Sequence, residues 1–284
     1  KDISKDVNVT KDSFNIYISG IDTYGAITKT SRSDVNIVAT VNPNTNEILL
    51  TSIPRDYYVT LPSFLEKDKL THAGIYGIDE SVGAIENLLD IKINYYVKVN
   101  FTSLIKIVDT LDGITVNSKY DFTSEDGYKY KKGINNLNGE EALAYARSRH
   151  SYIGGDLDRV RHQQQIVEAV GKKIVSFDSV SKFQDILSAI SNNISTNMET
   201  PKILSGYKVM KNMFKNALGG SDFININKAY LETYSLPVYL PWTGGNTSAQ
   251  GYYEDSLADI QDALKITLEK KAEPVIKTFS FSVN

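Results

Sequence analysis

Three segments near the start of the chain carry the hydrophobic pattern of β-strands. FNIYISG (14–20), DVNIVATVN (34–42) and EILLTSI (47–53) are rich in β-branched and aromatic residues, and the second alternates apolar with other residues. PNTN at 43–46 has the composition of a turn, so the second and third strands should pair directly. The pattern therefore predicts a three-stranded meander.

Helical periodicity dominates the rest of the chain and alternates with strand-like runs. Helices are predicted over 79–90, 103–111, 138 to about 147, 156–175, 180–192, 201–218 and 255–270. Asn138 followed by Glu141 forms an N-cap pair at the start of the third of these. Strands are predicted at 94–100, 113–122 and 227–242, and polar or glycine-rich loops at 123–135 and 243–251.

The alternation of strands and helices, without any internal repeat, predicts one α/β domain. A central mixed β-sheet flanked by helices is the simplest architecture for it. We expect this domain to span residues 14–284. Polar residues 1–13 are expected to be a linker or juxtamembrane segment, with an ordinary frayed terminus as the alternative.

Composition narrows the classes of function. The chain has 284 residues, of which 41% are hydrophobic, with a formal charge of −3 and a pI near 5.7, which argues against a surface that wraps nucleic acid. It contains no cysteine, which excludes disulfides, thiol nucleophiles and thiolate metal ligands. No apolar run approaches the length of a membrane span.

Arginine is concentrated in one short segment. The chain has six arginines among its 31 basic residues, and four of the six lie in ARSRHSYIGGDLDRVRHQQQ at 146–165. A planar guanidinium can bind two oxygens of one phosphate, whereas an ammonium acts as a point charge. The segment therefore predicts a local phosphate or diphosphate site, with a merely solvated basic face as the alternative.

Spacing divides the four arginines. Arg147 and Arg149 point to the same side if the chain is extended there, while Arg159 and Gln163 share a helical face with Asp156. Arg161 points away from that face and is expected at the surface.

The meander should bring two carboxylates to one edge of the sheet. Asp22 follows the first strand, Asp34 opens the second, and Arg32 and Arg55 should lie close to them. Two carboxylates, completed by water or phosphate oxygens, are how magnesium is commonly held. The alternative is that both aspartates cap loops and pair with Arg32.

Several motifs in order resemble the extracytoplasmic catalytic domain of the LytR-CpsA-Psr family, the cell-wall glycopolymer ligases of Gram-positive bacteria. They are GID at 20–22, SRSD at 31–34, SIPRD at 52–56, NGEEALAYARSRH at 138–150 and GGDLDRVRHQQQ at 154–165. The family often has arginine before its paired glutamines, where this chain has His162, which puts the role of that position in doubt.

The resemblance implies an α-β-α fold with a polyprenyl-lipid pocket, for which Leu88, Tyr96, Phe101, Leu104, Val160 and Val167 are possible lining residues. It implies Mg²⁺ bound by Asp22 and Asp34, and phosphate or pyrophosphate bound by Arg55, Arg147, Arg149, Arg159 and Gln163. Catalytic roles are expected for Asp34, Arg55 and Arg159. The base that accepts the acceptor's proton stays open among Asp34, Asp56 and Asp156.

The implied activity is a phosphotransferase, with possible lipid pyrophosphatase activity. It would move a glycan phosphate, such as capsule or teichoic acid, from a polyprenyl pyrophosphate carrier to peptidoglycan. The resemblance places this reaction at the extracytoplasmic face of a Gram-positive cell membrane, to which an N-terminal anchor would attach the protein. One alternative is a polyprenyl-phosphate-binding envelope sensor without turnover. Another is a surface protein that binds glycans through its 18 tyrosines and Trp242.

Overall fold

The computed structural model describes residues 7–149, 155–218 and 225–269, and it has a mixed α/β fold. Its strands, numbered in chain order, are β1 (Phe14–Ile21), β2 (Ser33–Asn42), β3 (Glu47–Ser52), β4 (Tyr58–Leu61), β5 (Glu66–Lys69), β6 (Tyr95–Val99), β7 (Ile114–Ser118), β8 (Phe122–Thr123), β9 (Lys129–Tyr130), β10 (Gly133–Leu137), β11 (Ser195–Thr196), β12 (Asn225–Tyr230), β13 (Thr233–Leu240) and β14 (Gly245–Tyr252).

The helices follow the predicted order with one addition. They are α1 (Leu70–Ala73), α2 (Ile78–Leu89), α3 (Phe101–Thr110), α4 (Gly139–Arg147), α5 (Gly155–Val175), α6 (Val180–Ile190), α7 (Thr200–Leu218) and α8 (Glu254–Glu269), with short 3₁₀ turns at Gly74–Tyr76, Ser191–Asn193 and Pro241–Thr243. Asn138 and Glu141 form the predicted capping box of α4, since each side chain bonds the other residue's backbone N–H.

The central sheet has the strand order β11-β6-β1-β2-β3-β12. Strands β1, β2 and β3 form the predicted antiparallel meander, and β12 joins β3 in parallel, so the sheet is mixed as expected. Strand β2 is buried from Asn36 to Asn42, which explains its high content of β-branched residues.

The described residues form two compact units. The first unit comprises residues 1–22, 28–98 and 196–284, and its core contains Tyr17, Leu49, Leu70, Ile85 and Ile260. The second comprises residues 23–27 and 99–195, and its core contains Val108, Leu111, Ile114, Tyr145 and Ile166. Each core side chain of this size contributes roughly 1.5–3 kcal/mol by leaving water.

The glycine-rich segment 243–251 was predicted to be a loop, and that prediction is wrong. Strand β14 begins at Gly245 and pairs with β13 along its whole length. The glycines of the turn, Gly244 and Gly245, do have positive φ angles, 99° and 117°. Gly251 has a different role, because a Cβ there would lie 2.3 Å from Cζ of Tyr234, whose ring covers it.

Two other predictions concern the polar segments. The predicted loop 123–135 contains the β8–β9 hairpin and the start of β10. Of the predicted linker 1–13, residues 1–6 lie outside the described residues, and Val9 in the remainder is buried. Among the helices that the structure describes, none has the length and apolar character needed to cross a bilayer.

Candidate functional site

Asp34 lies on a β-bulge at the edge of the central sheet. Gly20 pairs with Val35 and Ile21 pairs with Ser33, so Asp34 is the extra residue on β2 and has no cross-strand partner on β1. A bulge turns the side chain of its extra residue away from the regular alternation, and bulges often occur beside active sites. Asp22 follows Ile21, and its backbone N–H bonds the carbonyl of Arg32 at 3.2 Å.

Two close approaches hold this edge in place. A Cβ on Gly20 would lie 2.8 Å from Cβ of Val35, so the strands can approach at the bulge only because position 20 is glycine. A Cβ on Gly74 would lie 2.6 Å from the carbonyl oxygen of Ser31, which brings the turn after α1 against the start of β2.

A buried hydrogen-bond network supports the bulge from below. Ser33 Oγ bonds Asn36 Oδ1 at 2.8 Å and Ser19 Oγ at 2.9 Å, and the Tyr17 hydroxyl donates to Asn36 Oδ1 at 2.6 Å. All four residues are almost completely buried. Burial raises the pKa of Tyr17, so its hydroxyl stays protonated and able to donate. A satisfied network of this kind fixes the backbone on both sides of Asp34.

Both carboxylate oxygens of Asp34 have partners. Arg55 Nη1 bonds Oδ2 at 3.0 Å, and the Thr71 hydroxyl donates to Oδ1 at 3.0 Å. Arg55 Nε is buried, forms no hydrogen bond within the described residues, and has Asp56 Oδ2 at 3.7 Å. The guanidinium is therefore anchored by Asp34 and flanked by Asp56, and 27% of the Arg55 side chain stays exposed.

Asp22 has different partners. The Ser31 hydroxyl donates to its Oδ1 at 2.5 Å, and Arg32 Nε lies 3.6 Å from its Oδ2. The Arg32 side chain is 59% exposed, so this ion pair contributes little to stability. For Asp22 the structure contains the loop pairing with Arg32 that was the alternative to a metal site. Asp22, Asp34, Arg55 and Thr71 are called the carboxylate cluster below.

The donors of the carboxylate cluster suit a hard cation. Asp22 and Asp34 offer carboxylate oxygens and are 23% and 25% exposed, with hydroxyl groups beside them. In the part of the chain that the structure describes, no three His, Cys, Asp or Glu residues are grouped as metal ligands. Carboxylates completed by substrate or water oxygens are the ligand type that magnesium prefers, so the chemistry of these residues suits Mg²⁺, and its binding stays a prediction.

The second group of predicted residues surrounds Asp156 at the start of α5. Arg159 Nη2 bonds Asp156 Oδ1 at 2.5 Å, one turn along the helix, and Arg149 Nη2 lies 3.7 Å from the same oxygen. The sequence prediction placed Arg149 on one side of the glycine pair 154–155 and Arg159 on the other, and the structure brings their guanidinium groups to one carboxylate. Arg149, Asp156 and Arg159 are called the arginine cluster.

Arg147 and Gln163 do not join this contact. The Arg147 guanidinium lies over the ring of Phe101, 4.7 Å from its centroid, and the Phe101 ring meets that of Tyr24 at 5.0 Å. Gln163 is half-buried on α5. Arg161 was expected at the surface and is half-buried instead. His150 and Gly154 lie outside the described residues.

His162 contacts the backbone between Arg147 and Arg149. Its Nδ1 lies 3.1 Å from the carbonyl oxygen of Ser148, and its buried ring stacks on Phe122 at 5.2 Å with an 8° interplanar angle. Ser148 stands between Arg147 and Arg149, so the imidazole fixes the backbone that carries both arginines. This is the contact that the structure gives for the position whose role the sequence left in doubt.

Sequence reasoning missed Thr71, the bulge at Asp34 and the contact of His162 with Ser148. Each depends on a pairing between distant segments, and Thr71 and Asp34 are 37 residues apart. The only local signal was the SRSD motif with Gly20 upstream, and a motif does not reveal a register shift. The roles assigned to Asp22, Asp34, Arg55, Arg147, Arg149, Arg159 and Gln163 stay predictions.

One family model and several curated proteins match most of this chain. The model described as LytR_cpsA_psr family matches residues 1–266. The polyisoprenyl-teichoic acid–peptidoglycan teichoic acid transferase TagU of Bacillus subtilis (strain 168) is 36% identical over 273 residues, covering 94% of this chain and 82% of TagU. The protein of that name from Bacillus licheniformis is 35% identical over 91% of this chain and 79% of its own length.

Solved structures agree in fold. The crystal structure of B. subtilis TagV aligns with a TM-score of 0.76 and 31% identity, covering 91% of this chain and 98% of that one. A structure of TagT bound to LI-WTA aligns with a TM-score of 0.72 and 26% identity, covering 93% and 94%. A protein from Enterococcus faecalis described as a transcriptional regulator aligns with a TM-score of 0.76 and 27% identity, covering 94% and 92%.

Proposed function

The chain belongs to the LytR-CpsA-Psr family, and from that membership we propose that it transfers a glycan phosphate from a polyprenyl pyrophosphate carrier to peptidoglycan. The names of its relatives support attachment of a teichoic-acid-type polymer. The observation that carries the proposal is the convergence of Arg149 and Arg159 on one carboxylate oxygen, which prepares two guanidinium groups for a shared anion.

The proposed reaction is a substitution at the phosphorus next to the glycan. A peptidoglycan hydroxyl oxygen forms a bond to this phosphorus, and the bond from phosphorus to the bridging oxygen breaks. The bridging oxygen leaves with the lipid monophosphate, and the hydroxyl proton passes to a carboxylate. Asp34, Asp56 and Asp156 are the candidates for that carboxylate, and their asparagine variants distinguish them by the loss of rate.

Each charged group has a proposed role in that step. Arg55 is held by Asp34, and the exposed part of its guanidinium would donate to a phosphoryl oxygen, while Arg149 and Arg159 would neutralise charge on the pyrophosphate. Arg147 and Gln163 are proposed as further phosphate ligands. Mg²⁺, held by Asp22 and Asp34, would supply additional positive charge for the transferring phosphoryl group.

The prenyl chain is proposed to lie against apolar residues of the second unit. Of the predicted lining residues, Leu88 and Tyr96 pack on the core of the first unit, and Leu104 packs on the core of the second. Phe101, Val160 and Val167 are half-buried and keep surface for a ligand.

We place the protein at the outer face of the cytoplasmic membrane, where both proposed substrates meet.

The test uses a polyprenyl pyrophosphate-linked glycan, magnesium and peptidoglycan, and it measures released lipid monophosphate. Arg55→Ala and Arg159→Ala should each lower kcat by about 10²–10³, the usual loss for one charge-stabilising donor. Lys172→Ala is the control, since it removes a basic side chain that is 57% exposed on the same helix, and it should stay within about twofold.

A binding-only regulator is the alternative, and the name of the E. faecalis neighbour gives a reason to consider it. It predicts that the carrier lipid binds and is recovered unchanged, with or without peptidoglycan. Intact lipid after prolonged incubation with magnesium would favour the regulator. Full activity in the Arg55→Ala, Arg159→Ala double variant would contradict the phosphotransfer mechanism.

A further inference from the structure

An exposed tryptophan projects from the hairpin formed by β13 and β14. Trp242 is the single tryptophan of the chain, lies in the 3₁₀ turn Pro241–Thr243, and is 52% exposed. Tyr239, three residues before it, is 66% exposed. Large aromatic rings left in water on a well-paired hairpin are typical of surfaces that bind a partner.

The indole of Trp242 is held in place from inside the protein. Its Nε1 donates to Asp68 Oδ2 at 3.0 Å, and Asp68 is only 6% exposed. The other Asp68 oxygen lies 2.6 Å from His72 Nδ1, and the His72 ring meets the indole edge-on at 4.5 Å. The side chain is thus ordered before any ligand arrives, which lowers the entropic cost of binding on its exposed surface.

The hairpin around Trp242 carries no charge. Residues 233–253 contain no Asp, Glu, Lys or Arg, although 23% of the whole chain is charged. Exposed Asn246 is the cross-strand partner of Tyr239, and exposed Ser248 follows two residues along the same face of β14. Aromatic rings with neutral amide and hydroxyl groups suit the C–H faces and hydroxyls of uncharged sugars. An anionic polymer would need cations that residues 233–253 lack, and the ammonium of Lys69, which bonds Thr247, belongs to a side chain only 14% exposed and lies 3.9 Å from Asp56 Oδ1.

The hairpin is hydrogen-bonded to the two segments that carry Arg55 and Thr71 of the carboxylate cluster. Gln250 N bonds the carbonyl of Asp56 at 2.7 Å, and Lys69 Nζ bonds Thr247 Oγ1 at 3.0 Å. On the other side, His72 follows directly after Thr71, which bonds Asp34. The residues that fix the indole and the hydroxyl that fixes Asp34 therefore share the short segment Asp68–His72. A glycan held by Trp242 would therefore be bound by a side chain that is fixed by the same segment that positions Asp34.

We propose that the exposed face of Trp242, at the tip of this uncharged hairpin, binds the glycan strand of peptidoglycan, the acceptor in the reaction. This inference rests on the proposed function and adds to it the surface that selects the acceptor. The uncharged hairpin assigns this surface to the neutral sugars of the acceptor strand and leaves the anionic donor polymer to the arginines.

Binding can be measured directly, because the chain's intrinsic tryptophan fluorescence comes from Trp242 alone. Titration with N-acetylchitotetraose, a neutral probe of the peptidoglycan backbone, should shift or quench this emission and saturate. Polyglycerol phosphate, an anionic probe, should leave it unchanged. A response to polyglycerol phosphate alone, or to neither probe, would overturn the inference.

Variants separate the ring from its support. In co-sedimentation with purified peptidoglycan, Trp242→Ala should bind at least about tenfold more weakly, as expected for a tryptophan anchor. Trp242→Phe keeps an aromatic face without the Asp68 bond and should show a smaller loss. Tyr76→Ala is the matched control, since Tyr76 is 50% exposed on a different turn. Unchanged binding by Trp242→Ala, or an equal loss in Tyr76→Ala, would contradict the inference.

Kinetic measurements test the glycan-binding surface separately from the proposed phosphotransferase activity. Trp242→Ala should raise the KM for peptidoglycan fragments at least about tenfold while kcat recovers at saturating acceptor. Its KM for the lipid donor should not change. If the wild-type protein binds N-acetylchitotetraose but transfers nothing, the proposed function fails and the glycan surface stands. If transfer proceeds and Trp242→Ala leaves the acceptor KM unchanged, only the glycan surface fails.

Discussion

The bulge that presents Asp34 depends on the absence of a side chain at position 20. In Gly20→Ala the new Cβ would lie 2.8 Å from Val35 Cβ and 3.0 Å from its Cγ2, well inside the usual carbon contact distance of about 3.5–4 Å. Strands β1 and β2 must then separate at the bulge, since Val35 is β-branched and stiff. Overpacking of this kind costs about 1–3 kcal/mol.

Urea denaturation measures that cost, and phosphotransfer measures its consequence. The midpoint of unfolding should fall, and kcat should fall at temperatures where the variant is fully folded, because Asp34 and its bond to Arg55 move with the bulge. Gly206→Ala is the matched control. A Cβ there has no neighbour within 4 Å and lies within helix α7, so it should stabilise by up to about 1 kcal/mol.

The two glycine variants should therefore differ in sign. An unfolding midpoint for Gly20→Ala equal to that of the wild type, together with full activity, would refute the close approach and with it the account of how Asp34 is oriented. A fall in stability of equal size in both variants would show that glycine replacement has a general effect unrelated to the bulge.

Three further variants test individual contacts. His162→Phe keeps the stacking on Phe122 but loses the bond to Ser148. Binding of a lipid pyrophosphate, measured by calorimetry, should therefore weaken, while the melting temperature should fall only slightly. Asn138→Ala removes the cap of α4 and should cost about 1 kcal/mol in urea unfolding, with activity retained. Burial raises the pKa of Tyr17 above its ordinary value of 10.0, so the unfolded chain loses this proton at a lower pH than the folded protein does. The contribution of protonated Tyr17 to the free energy of unfolding is therefore present below about pH 10 and is lost as the pH rises. The melting temperature of Tyr17→Phe should then fall less steeply between pH 9 and 11.5 than that of the wild type.

The elements predicted correctly are those with local signals. The Asn138 cap, the long α5 and the β1-β2-β3 meander follow from periodicity and turn composition over neighbouring residues. Strand β14 was missed because its glycines have loop composition, and only its pairing with β13 makes it extended.

The candidate site divides in the same way. The face shared by Asp156 and Arg159 follows from helical spacing, and the structure contains their bond. The turn of Arg147 toward Phe101 and the bond from Thr71 to Asp34 are tertiary contacts, and no pattern along the chain encodes them.

The most direct test of the central claim follows one phosphorus atom. The donor is a polyprenyl pyrophosphate-linked glycan with ³²P in the phosphate next to the sugar, and it is incubated with the protein, magnesium and peptidoglycan. We expect the label in the peptidoglycan fraction and an unlabelled lipid monophosphate. Label that stays in intact lipid, or that appears as soluble glycan phosphate with none in the peptidoglycan, would contradict the account.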